Sequence, residues 1–251
     1  VQITMAEDFG TAGRAKFYDT AGALRDVVQN HLLAVVALLA MEPPVSEDAD
    51  ALADEMAKVL MAMRPFEPRR TRRAQYEGYC DEVGVATESG TETAFATTTF
   101  IDSWRWAGVP WVLTTAKAAA ETRTEAIVDF VPPPRPLFAD RDCAPGPNRL
   151  RFELKPDDEI TLDLQVKSPG DRLVSESSAL TVDHRDAEQG PDAYQRLLGA
   201  ALDGDRRLFG RGDLIDRAVA IVQPVLDNPP DLRHYTPGTI RGLELAGGED
   251  V

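Results

Sequence analysis

From Glu159 to Val166 the sequence alternates without a break, with Ile160, Leu162, Leu164 and Val166 set against Glu159, Thr161, Asp163 and Gln165. A period of two belongs to a strand with one buried face; helical side chains recur every 3.6 residues and cannot produce it. Further strands are expected around it, at Thr93–Ser103, Pro110–Thr115, Thr124–Val131, Arg149–Leu154 and Ala179–His184. Helical spacing brackets this run. Leu24, Val28, Leu32, Val35 and Leu39 stand three or four apart, which predicts a helix from Thr20 to Met41 that Pro43-Pro44 would end. Ser46 is placed to cap a second helix over Ala49–Met63, and Asp192–Leu202 and Gly212–Asp227 supply two more. Pro65–Gly90 reads as irregular loop and Pro132–Pro147 as a Pro-rich connection. Helices first, consecutive strands next and helices last is an α+β order. It predicts one domain, a large mainly antiparallel sheet with helices packed on one face.

Composition narrows what such a domain can do. The chain's 42 acidic and 27 basic residues give a formal net charge of −15, which argues against a nucleic-acid partner, since phosphate backbones need clustered positive charge. The longest apolar run, Leu32–Met41, is about half of the ~20 residues a membrane span needs, so it reads as a core helix and no membrane partner is expected. No basic-flanked apolar leader opens the chain, and a cytoplasmic location is expected. Cys80 and Cys143 are too few for a disulfide framework or a cysteine zinc site, and three scattered histidines do not suggest a metal cluster. A Gly-x-Gly-x-x-Gly fingerprint and a P-loop are both missing, so no cofactor is expected on this chain alone. The chain opens on strand-like Val1-Gln2-Ile3-Thr4 without an initiator Met and is expected to be a piece of something longer.

His31 is the titratable residue of most interest. It lies on or beside the apolar stripe of the first helix, where an imidazole can act as a general base near neutral pH. The pattern alone favours a blander reading, a core histidine bonded to a carbonyl. Asp26 stands five residues earlier, about 140° away around an ideal α-helix, so a joint role with His31 needs a ligand bordering both or an irregular turn. Glu7-Asp8 before Gly10 and Gly13 read as a turn with solvated acids. The Arg69, Arg70, Arg72 and Arg73 cluster reads as a solvated loop, Trp104 and Trp106 as sheet packing plus a turn, and Lys117 as the residue just past a short strand.

Arg25-Asp26-Val27-Val28-Gln29-Asn30-His31-Leu32, preceded by Glu7-Asp8-Phe9-Gly10 and followed by Ala40-Met41-Glu42-Pro43-Pro44, resembles the glucose-6-phosphate dehydrogenases. The resemblance runs on through Gln75-Tyr76, Gly90-Thr91-Glu92-Thr93 and Ile101-Asp102-Ser103-Trp104-Arg105-Trp106-Ala107-Gly108-Val109-Pro110. It resumes at Pro191-Asp192-Ala193-Tyr194 and Leu208-Phe209, and thins after about Pro224. It implies the C-terminal substrate-binding and oligomerisation domain of such an enzyme over residues 1–251, with the coenzyme-binding Rossmann domain absent from the chain. By that resemblance the reaction is oxidation of glucose 6-phosphate to 6-phosphogluconolactone with NADP. His31 would be the general base; Glu7, Asp26 and Lys117 would be substrate-binding, and the sheet would serve a homodimer or higher homo-oligomer.

Departures accompany the likeness. Thr114-Thr115-Ala116-Lys117 replaces a strand end that in the family carries Arg and Gly before the lysine, and Ala116 for Gly is expected to displace Lys117. Lys155 stands where many members have Gln. These departures leave an alternative open, a non-catalytic relative acting as a binding or assembly module.

Overall fold

The computed structural model describes residues 1–134, 146–171, 173–183 and 193–241. Cys143, His184 and Asp192 lie outside the described residues. The strands are β1 Gln2–Ala6, β2 Thr71–Tyr76, β3 Ala94–Phe100, β4 Pro110–Ala116, β5 Arg123–Asp129, β6 Arg149–Lys155, β7 Glu159–Lys167, β8 Ser175–Asp183 and β9 Leu232–Tyr235. The helices are α1 Ala15–Ala23, α2 Leu33–Ala40, α3 Ala49–Ala62, α4 Ala193–Asp203 and α5 Gly212–Asp227. Between α1 and α2 the backbone widens into a π-helical segment, Leu24–Leu32.

All nine strands form one sheet in the order β8-β7-β6-β5-β1-β4-β3-β2-β9. Pairing is antiparallel except for β1 with β4 and β2 with β9, so the α+β expectation holds, with a mixed rather than purely antiparallel sheet. The helices pack as a layer: the π-segment against β1 and β4, α2 against α3, and α3 and the π-segment against α5. Val28, Leu32, Val36 and Val222 are fully buried there against Ile3, Trp111 and Leu113 of the sheet. Trp106 donates its indole N–H to the Ala40 carbonyl at 2.9 Å and meets the Trp111 ring edge-on at 4.9 Å, locking the end of α2 to β4. The helical run Ala15–Ala40 is long and apolar enough to cross a membrane, but its stripe Leu24, Val28, Leu32, Leu33, Val36, Ala37 and Ala40 is the interior of this core.

Several local expectations need correction. The first helix starts at Ala15, not Thr20. Asp48, not Ser46, is the residue before the second helix and makes no side-chain cap bond, and Ser46 donates its hydroxyl to the Asp48 carboxylate at 2.8 Å instead of bonding helix N–H groups. The supposed loop from Pro65 to Gly90 contains β2. Arg73 lies in that strand because its guanidinium finds fixed acceptors, donating to the Pro230 and Gly90 carbonyls. Trp104 is fully exposed rather than packed. The apolar residues of β7 are only half-buried, because the helix layer sits over the other half of the sheet.

Gly22 separates α1 from the π-segment, at φ 70° and ψ 173°. A β-carbon there would meet the Glu92 carboxylate and the Thr91 methyl, so both backbone conformation and space require glycine. Gly199, inside α4, has open space around it. Gly22→Ala is therefore expected to lower stability by more than ~1 kcal/mol, and Gly199→Ala to raise it by roughly 0.5–1 kcal/mol. Urea denaturation of the two variants beside the parent chain checks the pair of signs.

Candidate active site

Because β1 and β4 run parallel with Ala6 opposite Ala116, the residues that follow leave the sheet side by side at the same end. Those residues are Glu7 and Lys117. The Lys117 ammonium reaches Glu7 Oε2 at 2.5 Å and lies over the rings of Tyr18, at 5.0 Å, and Phe9, at 5.7 Å. Its side chain is 5% exposed, against 38% for that of Glu7. A lysine this deep needs an opposite charge at hand, and Glu7 supplies it while keeping an edge in solvent.

Backbone bonds fix the lysine from both sides. Lys117 N–H donates to Thr93 O at 2.9 Å, and the Tyr235 hydroxyl donates to Lys117 O at 2.6 Å. Ala118 N–H donates to Phe9 O and Ala119 N–H to Glu7 O, each at 2.9 Å, so the two turns are stitched together. The expected effect of Ala116 is not found. Ala116 is extended within β4 and bonded in register, and the left-handed conformation falls on Ala118, at φ 47°. A β-carbon at position 116 meets no backbone strain, so it gives no reason for Lys117 to move.

The π-segment answers the question its spacing raised. In a π-helix the hydrogen-bonded repeat is i to i+5, so Asp26 and His31, five apart, fall on the same face of the segment. The α-helical estimate of about 140° between them does not apply. Asp26 is half-buried and close enough to Tyr18 for its charge to be felt there: burial first, then Glu92, Tyr235, Asp26 and Tyr79, push the Tyr18 phenol well above its usual range. The Tyr18 hydroxyl is buried without a hydrogen-bond partner among the described residues. His31 is exposed, not a core histidine, and no hydrogen bond to its ring is found among the described residues. An open imidazole of this kind can accept a proton from a bound ligand.

The structure thus brings Glu7 and Lys117 into contact, sets Lys117 over the Tyr18 ring that feels the charge of Asp26, and places His31 five residues beyond Asp26 in the same π-segment. Lys155 is exposed at the same end of the sheet, opposite Thr124, whose other neighbour is Met5. Tyr18 and Gly22 belong to this neighbourhood but carry no local sequence signal, and Phe9 and Glu92 stood in the resembling motifs without a role of their own. Only the assembled sheet places them there.

Residues 1–246 match the family described as "Glucose-6-phosphate dehydrogenase, C-terminal domain". Glucose-6-phosphate 1-dehydrogenase 1 of Mycobacterium tuberculosis (strain CDC 1551 / Oshkosh) is 43% identical over 240 residues, which cover 95% of this chain and 51% of that protein. The Mycolicibacterium smegmatis glucose-6-phosphate 1-dehydrogenase is 40% identical over 266 residues, covering 98% and 54%. The crystal structure of the enzyme from Mycobacterium avium superposes with a TM-score of 0.86 at 44% identity, over 96% of this chain and 52% of that one. A glucose-6-phosphate dehydrogenase solved in complex with its substrate glucose-6-phosphate gives a TM-score of 0.85 at 32% identity, covering 95% and 52%. The chain spans about half the length of the curated relatives it matches. The likeness takes in the parallel strand ends and the π-segment together, and on it the chain belongs to the glucose-6-phosphate dehydrogenase C-terminal domain family.

Proposed function

We propose that this chain is the substrate-binding and oligomerisation domain of an enzyme that oxidises glucose 6-phosphate at C1 to 6-phosphogluconolactone with NADP. The observation that carries the reading is the Lys117–Glu7 pair at the ends of parallel β1 and β4, beside a π-segment that carries Asp26 and His31 on one face. In this reading the carboxylates of Glu7 and Asp26 accept hydrogen bonds from sugar hydroxyls, Lys117 donates to the substrate, and His31 takes the C1 hydroxyl proton.

Among the described residues, the glycine-bearing turn after β1 does not fit the pyrophosphate of a dinucleotide. Gly10 and Gly13, in the turn between β1 and α1, lack the Gly-x-Gly-x-x-Gly spacing. A β-carbon at Gly10 would meet the Tyr76 hydroxyl at 2.8 Å and Glu82 Oε1 at 2.9 Å, so that turn is packed against the protein rather than open to a pyrophosphate. The proposed share of this chain is sugar binding and proton removal. The alternative of a non-catalytic module leaned on the altered Thr114–Lys117 segment as a whole and on the missing coenzyme half, and of these only the Ala116 part loses force where Ala116 is extended.

The proposed oligomer contact is the apolar face of β6–β8. Leu150 and Phe152 of β6 stand opposite Leu162 and Ile160 of β7, which in turn stand opposite Leu180 and Val182 of β8. Leu180 is 61% and Val182 55% exposed, which gives the face contiguous apolar surface for a second copy of the sheet.

Four outcomes are expected. Calorimetric titration shows the chain binding glucose 6-phosphate, with Lys117→Met weakening it by at least about tenfold, the worth of a charged hydrogen bond; equal binding by the variant would overturn the assignment of Lys117. In the assembled enzyme, His31→Ala lowers kcat by roughly 10²–10⁴-fold with KM little changed, and Glu7→Gln destabilises the chain by about 1–3 kcal/mol, below the fully buried range because Glu7 reaches solvent. Sedimentation velocity finds an oligomer for the parent chain and a monomer for Leu180→Glu.

A further inference from the structure

We infer that Glu92 is a positioning residue: it holds the first turn of the π-segment and so sets the direction in which Asp26 and His31 face. The inference rests on reading those two as the substrate-facing groups. A helix start leaves backbone N–H groups without intrahelical acceptors, and a side chain of the preceding residue usually takes one. Here the preceding residue is Ala23, which has no acceptor. Glu92, 68 positions away from Leu24, takes the role: its Oε1 accepts from Leu24 N–H at 3.0 Å. Its backbone oxygen also accepts from Ala23 N–H at 3.0 Å, so one residue holds two successive donors.

The clamp is built from both sides. Thr91 Oγ1 donates to the Asp19 carbonyl at 2.7 Å, tying the end of α1 to the same stretch. Gln75 Nε2 donates to the carbonyls of Ser89 and Thr91, each at 2.9 Å, and Thr93 N–H donates to Ala74 O at 2.8 Å, which anchor that stretch to β2. Gly22 lets the chain pass directly under the Glu92 carboxylate, where a β-carbon would collide. Arg73 pairs with the other carboxylate oxygen, Oε2, at 3.8 Å, too far for a direct hydrogen bond, and Oε1 is left to the helix start. Burial pushes the Glu92 carboxyl above its usual range, against the lowering effects of the Leu24 bond and Arg73.

Reach, not charge, is the property that matters. Gln has an acceptor at the same distance from the backbone; Asp keeps the charge but is one methylene short. The test compares Glu92→Gln, Glu92→Asp and Glu92→Ala in the full chain. Hydrogen exchange at the Leu24 amide and the His31 ring resonances are followed by NMR, and glucose 6-phosphate affinity by calorimetry. Asp and Ala are expected to speed Leu24 exchange by about tenfold and shift the His31 signals, while Gln stays within about threefold of the parent, as the loss of one helix-start bond predicts. Substrate affinity should fall with Asp and Ala and return with Gln. Unmoved His31 signals in Asp and Ala, or Gln behaving as they do, would overturn the inference. If Ala does not fold, Asp against Gln decides alone. Failure of the parent chain to bind glucose 6-phosphate would sink the substrate reading, and the Leu24 and His31 signals would still decide the role of Glu92.

Discussion

The first strand of the chain is inserted into the middle of the sheet, parallel to β4 and antiparallel to β5, and most of the architecture depends on that insertion. A parallel neighbour cannot be reached by a hairpin, so the chain must travel before returning to β1, and the helices α1 to α3 fill the intervening path. The π-segment between them packs on β1 and β4, while β6, β7 and β8, joined by antiparallel pairing, extend past the edge of the helix layer. One pairing decision therefore yields a covered half of the sheet and a bare half. It also turns two strand ends the same way, and that is what lets Glu7 and Lys117 meet.

The strands and helices with strong periodicity were legible in the sequence because their patterns arise from one buried face. Glu159–Val166 and Gly212–Asp227 are cases of this kind. The pattern of β7 nevertheless promised a buried face that the chain itself leaves half open, since periodicity records an apolar side but not what covers it. β2 was hidden by its arginines. Arg73 is at home in a strand because carbonyls of Pro230 and Gly90 wait for it, and those acceptors come from distant parts of the chain. β9 is a four-residue edge strand with one buried tyrosine, and nothing periodic marks it.

The site was legible in a different manner. Its residue types followed from resemblance, but their geometry did not, because α-helical spacing puts Asp26 and His31 on different faces. A π-helix is rare and has no compositional signature that the Leu24–Leu32 segment displays. What sustains it lies outside the segment and meets it at its first turn, a glycine kink and a carboxylate borrowed from another part of the chain. The same holds for Ala116. A substitution that looks disruptive beside a lysine meets no backbone strain where the strand is extended, and the left-handed conformation falls two residues on, at Ala118, where a ladder of bonds to Phe9 and Glu7 supports it.

A chain of net charge −15 is an unpromising host for an anionic sugar until the local balance is considered. Charges in water are screened over about 8 Å at physiological salt, so carboxylates scattered over the far surface contribute little at the strand ends. Contact distances are another matter. The Lys117 ammonium has three hydrogens to donate, and among the described residues Glu7 takes one, while the Tyr18 and Phe9 rings offer faces rather than hydrogen-bond acceptors. Donors left without acceptors in a nearly buried ammonium are costly, and a ligand oxygen that accepts them removes that cost. The ion pair keeps the lysine charged without exhausting it, which a second carboxylate in the same position would not allow.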